Sequence, residues 1–274
     1  MKQLKKTIKS LIGKSCLYSW LKLCMAWLGY TTYPLPFSHT SNAEPYLERA
    51  IARIGMVPVN DNDDLSFYSY LSEIWPNGYE QTRLMQYMAY LPSIPKDSQL
   101  PFLDIGCGAG EFVKFLHEHG FTAQGIDNNN AEVLRAQGRG LNVRYADAMS
   151  YLEGNQQCFS GVSLLEVIEH IAPDSHKKLI KAIFTALAPN GVALIETINT
   201  KNSLSFNTFY GDPTHTRPIP SEYLVFLAQW VGFDEVRIIY TGPMAFIHSQ
   251  AQDPSLAYTT YAIVAKKPDN LRKR

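Results

Sequence analysis

The segment Asp104-Ile105-Gly106-Cys107-Gly108-Ala109-Gly110 combines one carboxylate with three glycines in GxGxG spacing. Glycines so placed permit a tight turn and let the backbone approach a ligand closely. A dinucleotide site would show GxGxxG and set a pyrophosphate on a helix N-terminus. The spacing here suits a cofactor that lacks phosphates. Asp127 follows about 20 residues on, where a carboxylate can accept hydrogen bonds from both hydroxyls of a ribose. Asp147-Ala148 supplies a carboxylate for an adenine amino group and a backbone amide for a ring nitrogen. Asn128 and Leu165 complete the expected pocket wall.

These groups need a scaffold that brings successive strand ends together. The sequence predicts one. Apolar strands are expected at 101–106, 122–127, 142–146, 160–165 and 192–197, and helices at 111–119, 131–137 and 174–187. A helix at 221–231 and strands at 233–240 and 257–265 complete the set. This alternation predicts an α/β fold, Rossmann-like and doubly wound, with a mostly parallel seven-stranded sheet. No helical stretch separates the last two strands, so they are expected to form an antiparallel edge pair. In such sheets ligands bind beyond the carboxyl ends of the strands, where the strand order reverses.

With those residues placed, the chain resembles the class I methyltransferase family over residues 99–198. The resemblance runs through LDIGCGAG, GID, ADA, SLLEVIEHI and LAPNGVALIET. It implies S-adenosylmethionine as cofactor, bound by Asp104, Gly106, Cys107, Gly108, Gly110, Asp127, Asn128, Asp147, Ala148 and Leu165.

Two later motifs concern the acceptor. Glu166-Val167-Ile168-Glu169-His170 resembles the Glu-x-x-Glu-His pattern of ubiquinone-pathway O-methyltransferases and of small-RNA 2′-O-methyltransferases. The RNA enzymes imply a divalent ion, Mg²⁺, Mn²⁺ or Fe²⁺, held by Glu166, Glu169, His170 and a later histidine, here His215. A hydroxyl is a poor nucleophile until a base or a metal lowers its pKa, so both roles make chemical sense. A plain base needs one position to be right where the metal needs four, and it is the favoured reading.

The second motif, Phe209–Pro220, is polar and proline-stiffened, and is expected as a loop over the sheet's carboxyl end. Its Asp-Pro-Thr-His-x-Arg-Pro core resembles methyltransferases of bacterial polysaccharide gene clusters. The segment Phe67–Pro92 also resembles the region preceding their catalytic domain, except that no Arg precedes Gly78. Arg83 is then assigned to the methionine carboxylate. His215 is the first candidate for the base, His170 the second, with Glu166 and Arg217 completing the catalytic set.

Charge bounds the partner. The formal net charge is zero, yet residues 1–30 hold six lysines and no acid, and residues 266–274 hold five basic residues against Asp269. The body between them carries 14 basic and 24 acidic residues. Nucleic-acid binding draws most of its affinity from phosphate neutralisation, so no nucleic-acid partner is expected. The four cysteines form no metal-ligand or disulfide pattern, which suits a reducing cytoplasm.

Residues 1–95 are expected as an N-terminal helical segment and 96–274 as the methyltransferase domain. Lysines interrupt the apolar run within residues 1–30. Two readings stand for that run: an interfacial helix against anionic lipid, or a helix packed on protein, the latter ahead. The favoured acceptor is a sugar hydroxyl or terminal phosphate on a surface polysaccharide or its lipid-linked precursor, methylated in the cytoplasm beside the inner membrane. The alternatives are a quinone or secondary metabolite, then RNA, then a non-catalytic scaffold.

Overall fold

The computed structural model describes residues 79–96, 98–243 and 253–269. The expectations for residues 1–78, the helix in 1–30 among them, lie outside them. Among the described residues no helix is long and apolar enough to cross a membrane.

The strands are β1 (Phe102–Ile105), β2 (Ala123–Asp127), β3 (Val143–Tyr145), β4 (Phe159–Leu165), β5 (Leu187–Ile198), β6 (Asp234–Pro243) and β7 (Tyr258–Lys266). They form one sheet in the order β3-β2-β1-β4-β5-β7-β6. The first five are parallel; β7 runs antiparallel between β5 and β6. Strand order reverses between β1 and β4, so the loops that leave these two strands flank a crevice. Asp104 sits in register with Gly125 on one side and Ser163 on the other.

Helices α1 (Tyr79–Tyr90), α2 (Glu111–Glu118), α3 (Asn130–Gly138), α4 (Ala148–Glu153), α5 (Pro173–Ala186), α6 (Ser205–Gly211) and α7 (Ser221–Val231) surround the sheet. Tyr87 and Tyr90 of α1, Phe112 and Phe115 of α2 and Val133 of α3 share one apolar cluster with Phe102 and Leu194. Leu152 of α4, Ile180 and Ile183 of α5 and Leu224 of α7 share the other with Leu103 and Ile195. Neighbouring strand residues therefore feed opposite faces, as the period of two requires. All seven residues of β4 are buried, which is why it reads as a continuous apolar run.

Three expectations change in detail. The strand expected at 192–197 runs from Leu187, because Leu187 pairs with Phe159 ahead of an irregularity at Phe159/Gly161. Residues 209–211, expected as loop, are the last turn of α6. Helix α4 was not expected. Asp147 caps it by accepting hydrogen bonds from the amide and hydroxyl of Ser150, each at 2.9 Å.

Candidate active site

The loop after β1 is shaped by contact with the loop after β4. Gly106 has φ +67°, and a Cβ there would lie 2.5 Å from Cγ2 of Val167. Only glycine meets both demands. Gly110, at φ +83°, begins α2. Cys107 contributes its backbone to this loop, because its side chain packs over Gly125, whose added Cβ would meet Sγ at 2.5 Å. Burial pushes the Cys107 thiol far up and keeps it neutral.

Asp104 is buried beneath the loop, and Ser163 donates to its Oδ1 at 2.6 Å. Burial pushes its carboxyl up to about 7, with the charge of Asp127 adding to the effect. Asp127 accepts from the amide of Gly108 at 2.8 Å and from that of Asn129 at 2.7 Å. Each carboxylate oxygen can accept a second bond, so those amides orient Asp127 without exhausting it. Burial raises its pKa while the two amides oppose the rise. Asp147 is exposed and held low by Ser150. Asn128 is exposed; Ala148 is half-buried, and Leu165 is buried at the end of β4. Asp104, Asp127 and Asp147 thus stand at, or just beyond, the ends of three neighbouring parallel strands.

Glu166 leaves β4 at φ +54°, its amide donating to the carbonyl of Glu196 at 3.1 Å. Its carboxylate pairs with Arg83 of α1 at 2.5 Å. Tyr90, also on α1, donates to the buried carboxylate of Glu196 and lies 3.2 Å from Thr241 Oγ1. Burial pushes Glu196 up to about 7, with repulsion from Glu166 adding. Sequence reading singled out neither Tyr90 nor Glu196. Both lie in apolar runs, and their partnership spans 106 residues.

The next turn, Ile168–His170, is a single 3-10 turn that sends Glu169 and His170 in different directions. Glu169 is fully buried, and neither carboxylate oxygen makes a hydrogen bond among the described residues. Burial and then repulsion from Glu166 push it up to about 8. His170 faces the 209–220 segment. Its Nδ1 lies 2.8 Å from Thr214 Oγ1, and its ring centre lies 4.5 Å from that of His215. Burial, and then the neighbouring His215, lower its pKa.

His215 Nδ1 lies 2.6 Å from the carbonyl of Phe209, and its Nε2 lies 3.9 Å from Asp212 Oδ2. Thr214 Oγ1 donates to Asp212 Oδ1 at 2.7 Å, and the Thr214 amide donates to the same oxygen at 2.8 Å. Thr216 fastens the segment to the 3-10 turn, its amide and hydroxyl each donating to the Glu169 carbonyl at 2.8 Å. Arg217 instead lies over the ring of Tyr223 at 5.3 Å.

The four-residue metal set implied by the resemblance is therefore not assembled. Glu166 is committed to Arg83, and Glu169 is sealed in the core. Only His170 and His215 of that set come together, and Asp212 joins them. Asp212 stands three residues before His215 in an Asp-x-Thr turn, the one local signal that could have marked it.

Comparison with known proteins fits this geometry. The profile of a methyltransferase domain family matches residues 77–237. A S-adenosylmethionine-dependent methyltransferase from Archaeoglobus fulgidus superposes with TM-score 0.66 at 26% identity, covering 73% of this chain and 100% of that one. Phosphoethanolamine N-methyltransferase 2 of Haemonchus contortus shares the fold, with TM-score 0.56 at 19% identity, covering 86% of this chain and 62% of that one.

Ubiquinone biosynthesis O-methyltransferase of Rickettsia prowazekii is 35% identical over 114 residues, 40% of this chain and 44% of that protein. The enzyme of the same name in Pseudomonas fluorescens strain Pf0-1 is 34% identical over 103 residues, 35% of this chain and 44% of that protein. The matches span under half the length of these curated relatives.

The relatives' names overturn the expected polysaccharide acceptor, which rested on the Asp-Pro-Thr-His-x-Arg-Pro loop motif and on the likeness of Phe67–Pro92. They favour the quinone alternative instead. The chain belongs to the methyltransferase domain family and is an S-adenosylmethionine-dependent methyltransferase.

Proposed function

We propose that this protein methylates a hydroxyl oxygen of a small, quinol-type acceptor. The observation that carries the reading is the 32–35% identity to enzymes named for O-methylation in ubiquinone biosynthesis. The paired imidazoles beside the β4 loop supply fitting chemistry. His215 Nδ1 faces a carbonyl, which holds the ring as the Nδ1–H tautomer and leaves Nε2 as proton acceptor. His170 stands beside it, ring centres 4.5 Å apart, with its own pKa held down first by burial and then by His215.

S-adenosylmethionine supplies an electrophilic methyl group on a sulfonium. The chain's own residues hold it and orient the acceptor. Asp127 is assigned to the ribose hydroxyls, Asp147 and Ala148 to the adenine, and Asp104 to the α-ammonium. Arg83 is assigned to the carboxylate, which it can meet while keeping Glu166 as its partner. A hydroxyl placed in line with the methyl group then needs to lose one proton, and His215 is assigned to take it. The basic, apolar residues 1–30 suit contact with an anionic bilayer, where a lipophilic quinol would be met.

The test is methyl transfer to a demethylated quinol precursor by the purified full chain. Methyl ether formation that depends on S-adenosylmethionine supports the reading; its absence with cofactor bound contradicts it.

A further inference from the structure

We propose that Glu196, set beside Asp104 and Glu166, is a specificity-determining residue that makes the site favour the cationic sulfonium cofactor over its neutral thioether product, and that it sheds a proton to solvent when the sulfonium charge arrives. Glu196 takes no part in the methyl transfer assigned to His215, and its effect is independent of the acceptor.

The strand register brings the acids together. Asp104 is in register with Ser163, and Leu165 with Glu196. Residues two apart share a face, so Asp104, Ser163, Leu165 and Glu196 all lie on one side of the sheet near its carboxyl end. Helix α1 covers that side, with Tyr87 and Tyr90 in the same apolar cluster as Leu165. Asp104 and Glu196 are buried there, at 3% and 2% exposure. Glu166 follows Leu165, and its amide donates to the Glu196 carbonyl at 3.1 Å. Tyr90 donates to the Glu196 carboxyl from α1.

Charge around Glu196 is lopsided. The groups that act on it are Glu166 from the loop after β4, Tyr90 and Arg83 from α1, and Asp104 from β1. Tyr87 and Glu169 feel its charge in turn. Burial raises both phenols, so they stay neutral. One guanidinium therefore serves three carboxyl groups, and it is already paired with Glu166 at 2.5 Å. Full ionisation would set three negative charges against one positive charge in a largely buried site. Burying unpaired charge costs more than binding a proton, so the acids of this set hold protons until a cation enters.

Cofactor and product differ by one charge. The ammonium and carboxylate of the amino-acid end cancel, and both ligands carry them. The sulfonium alone distinguishes the two, and a charge in a low-dielectric pocket is felt far more strongly than in water. When that charge enters, the Glu196 O–H bond breaks, the proton passes to buffer and the carboxylate remains. Once the sulfur is neutral, Glu196 takes a proton back and the attraction is lost.

Calorimetric titration of the full chain in buffers of different ionisation enthalpy counts the protons released on binding. The ligands are S-adenosylhomocysteine and sinefungin, whose amine sets a lasting positive charge in place of the methyl sulfonium. At pH 6.5 sinefungin should release about 0.3–0.7 more protons per chain than S-adenosylhomocysteine. Raising the pH removes the competing proton, so sinefungin affinity relative to S-adenosylhomocysteine should rise about 3–10-fold between pH 5.5 and 8. Glu196→Gln keeps an acceptor for Tyr90, and should erase the difference in proton count and flatten the affinity ratio. Glu169→Gln should keep both, because Glu169 acts on Tyr261 of the other apolar cluster, across the sheet. Equal proton counts for the two ligands on the wild-type chain overturn the proposal. So does a difference that survives Glu196→Gln in a chain shown by circular dichroism to be folded.

Discussion

The guanidinium of Arg83 lies 2.5 Å from the carboxylate of Glu166, tying the helix that precedes the sheet to the residue that leaves β4 at φ +54°. Arg83 also lowers the pKa values of Asp104 and Glu196, so it acts as a cation among carboxylates. Arg83→Gln should lower the melting temperature and weaken S-adenosylmethionine binding by about 1.5–3 kcal/mol, the range for hydrogen bonds to a charged group. Calorimetric titration checks this. A lower melting temperature with unchanged affinity would confine Arg83 to holding α1.

Asp127 keeps two loop amides and is assigned two ribose hydroxyls. Asp127→Ala should therefore cost about 1.5–3 kcal/mol of cofactor affinity. Titration with S-adenosylhomocysteine, which shares the ribose, should show the same loss. If only one of the two ligands weakens, the ribose assignment fails.

Gly106 meets Val167 where the crevice narrows. Gly106→Ala should destabilise the chain by about 1–3 kcal/mol, from the left-handed φ and from the contact with Cγ2. Adding Val167→Ala should recover the part due to the contact. Additive losses in the double variant would show that the two loops do not press on each other.

Asp104 makes apo stability depend on pH. Its carboxyl rises from 3.8 to about 7 on folding, because burial disfavours the charged form. Below pH 3.8 both folded and unfolded chains are protonated, and the group costs nothing. As pH climbs through 7 the unfolded chain ionises freely while the folded chain resists, so stability is lost across that window. Glu169 and Glu196 act in the same direction. Asp104→Asn should leave stability near pH 4 unchanged and gain about 1–4 kcal/mol above pH 7. Thermal melts from pH 4 to 8 check it; parallel profiles for the two proteins would refute the assignment.

What was legible in the sequence was local or periodic. The β4 segment is apolar throughout because both its faces are covered, and the glycines of the β1 loop sit where positive φ is required. Helix α4 is not legible from periodicity because six residues carry too little of it, although its Asp147/Ser150 cap is encoded locally. The Glu-x-x-Glu-His resemblance implies Glu169 as a ligand. A 3-10 turn advances by about 120° per residue, so it turns Glu169 into the core while His170 faces outward. Arg83–Glu166 and Tyr90–Glu196 depend on how α1 docks, which no short-range pattern encodes.

The fate of a labelled methyl group from S-adenosylmethionine decides between the acceptors. The full chain is offered a demethylated quinol precursor, a lipid-linked glycan and an RNA oligonucleotide in separate reactions. Label should appear on a quinol oxygen, with a rate that falls about 10²–10⁴-fold in His215→Ala while cofactor affinity is unchanged. Label on glycan or RNA with the quinol unmodified would contradict the proposed function.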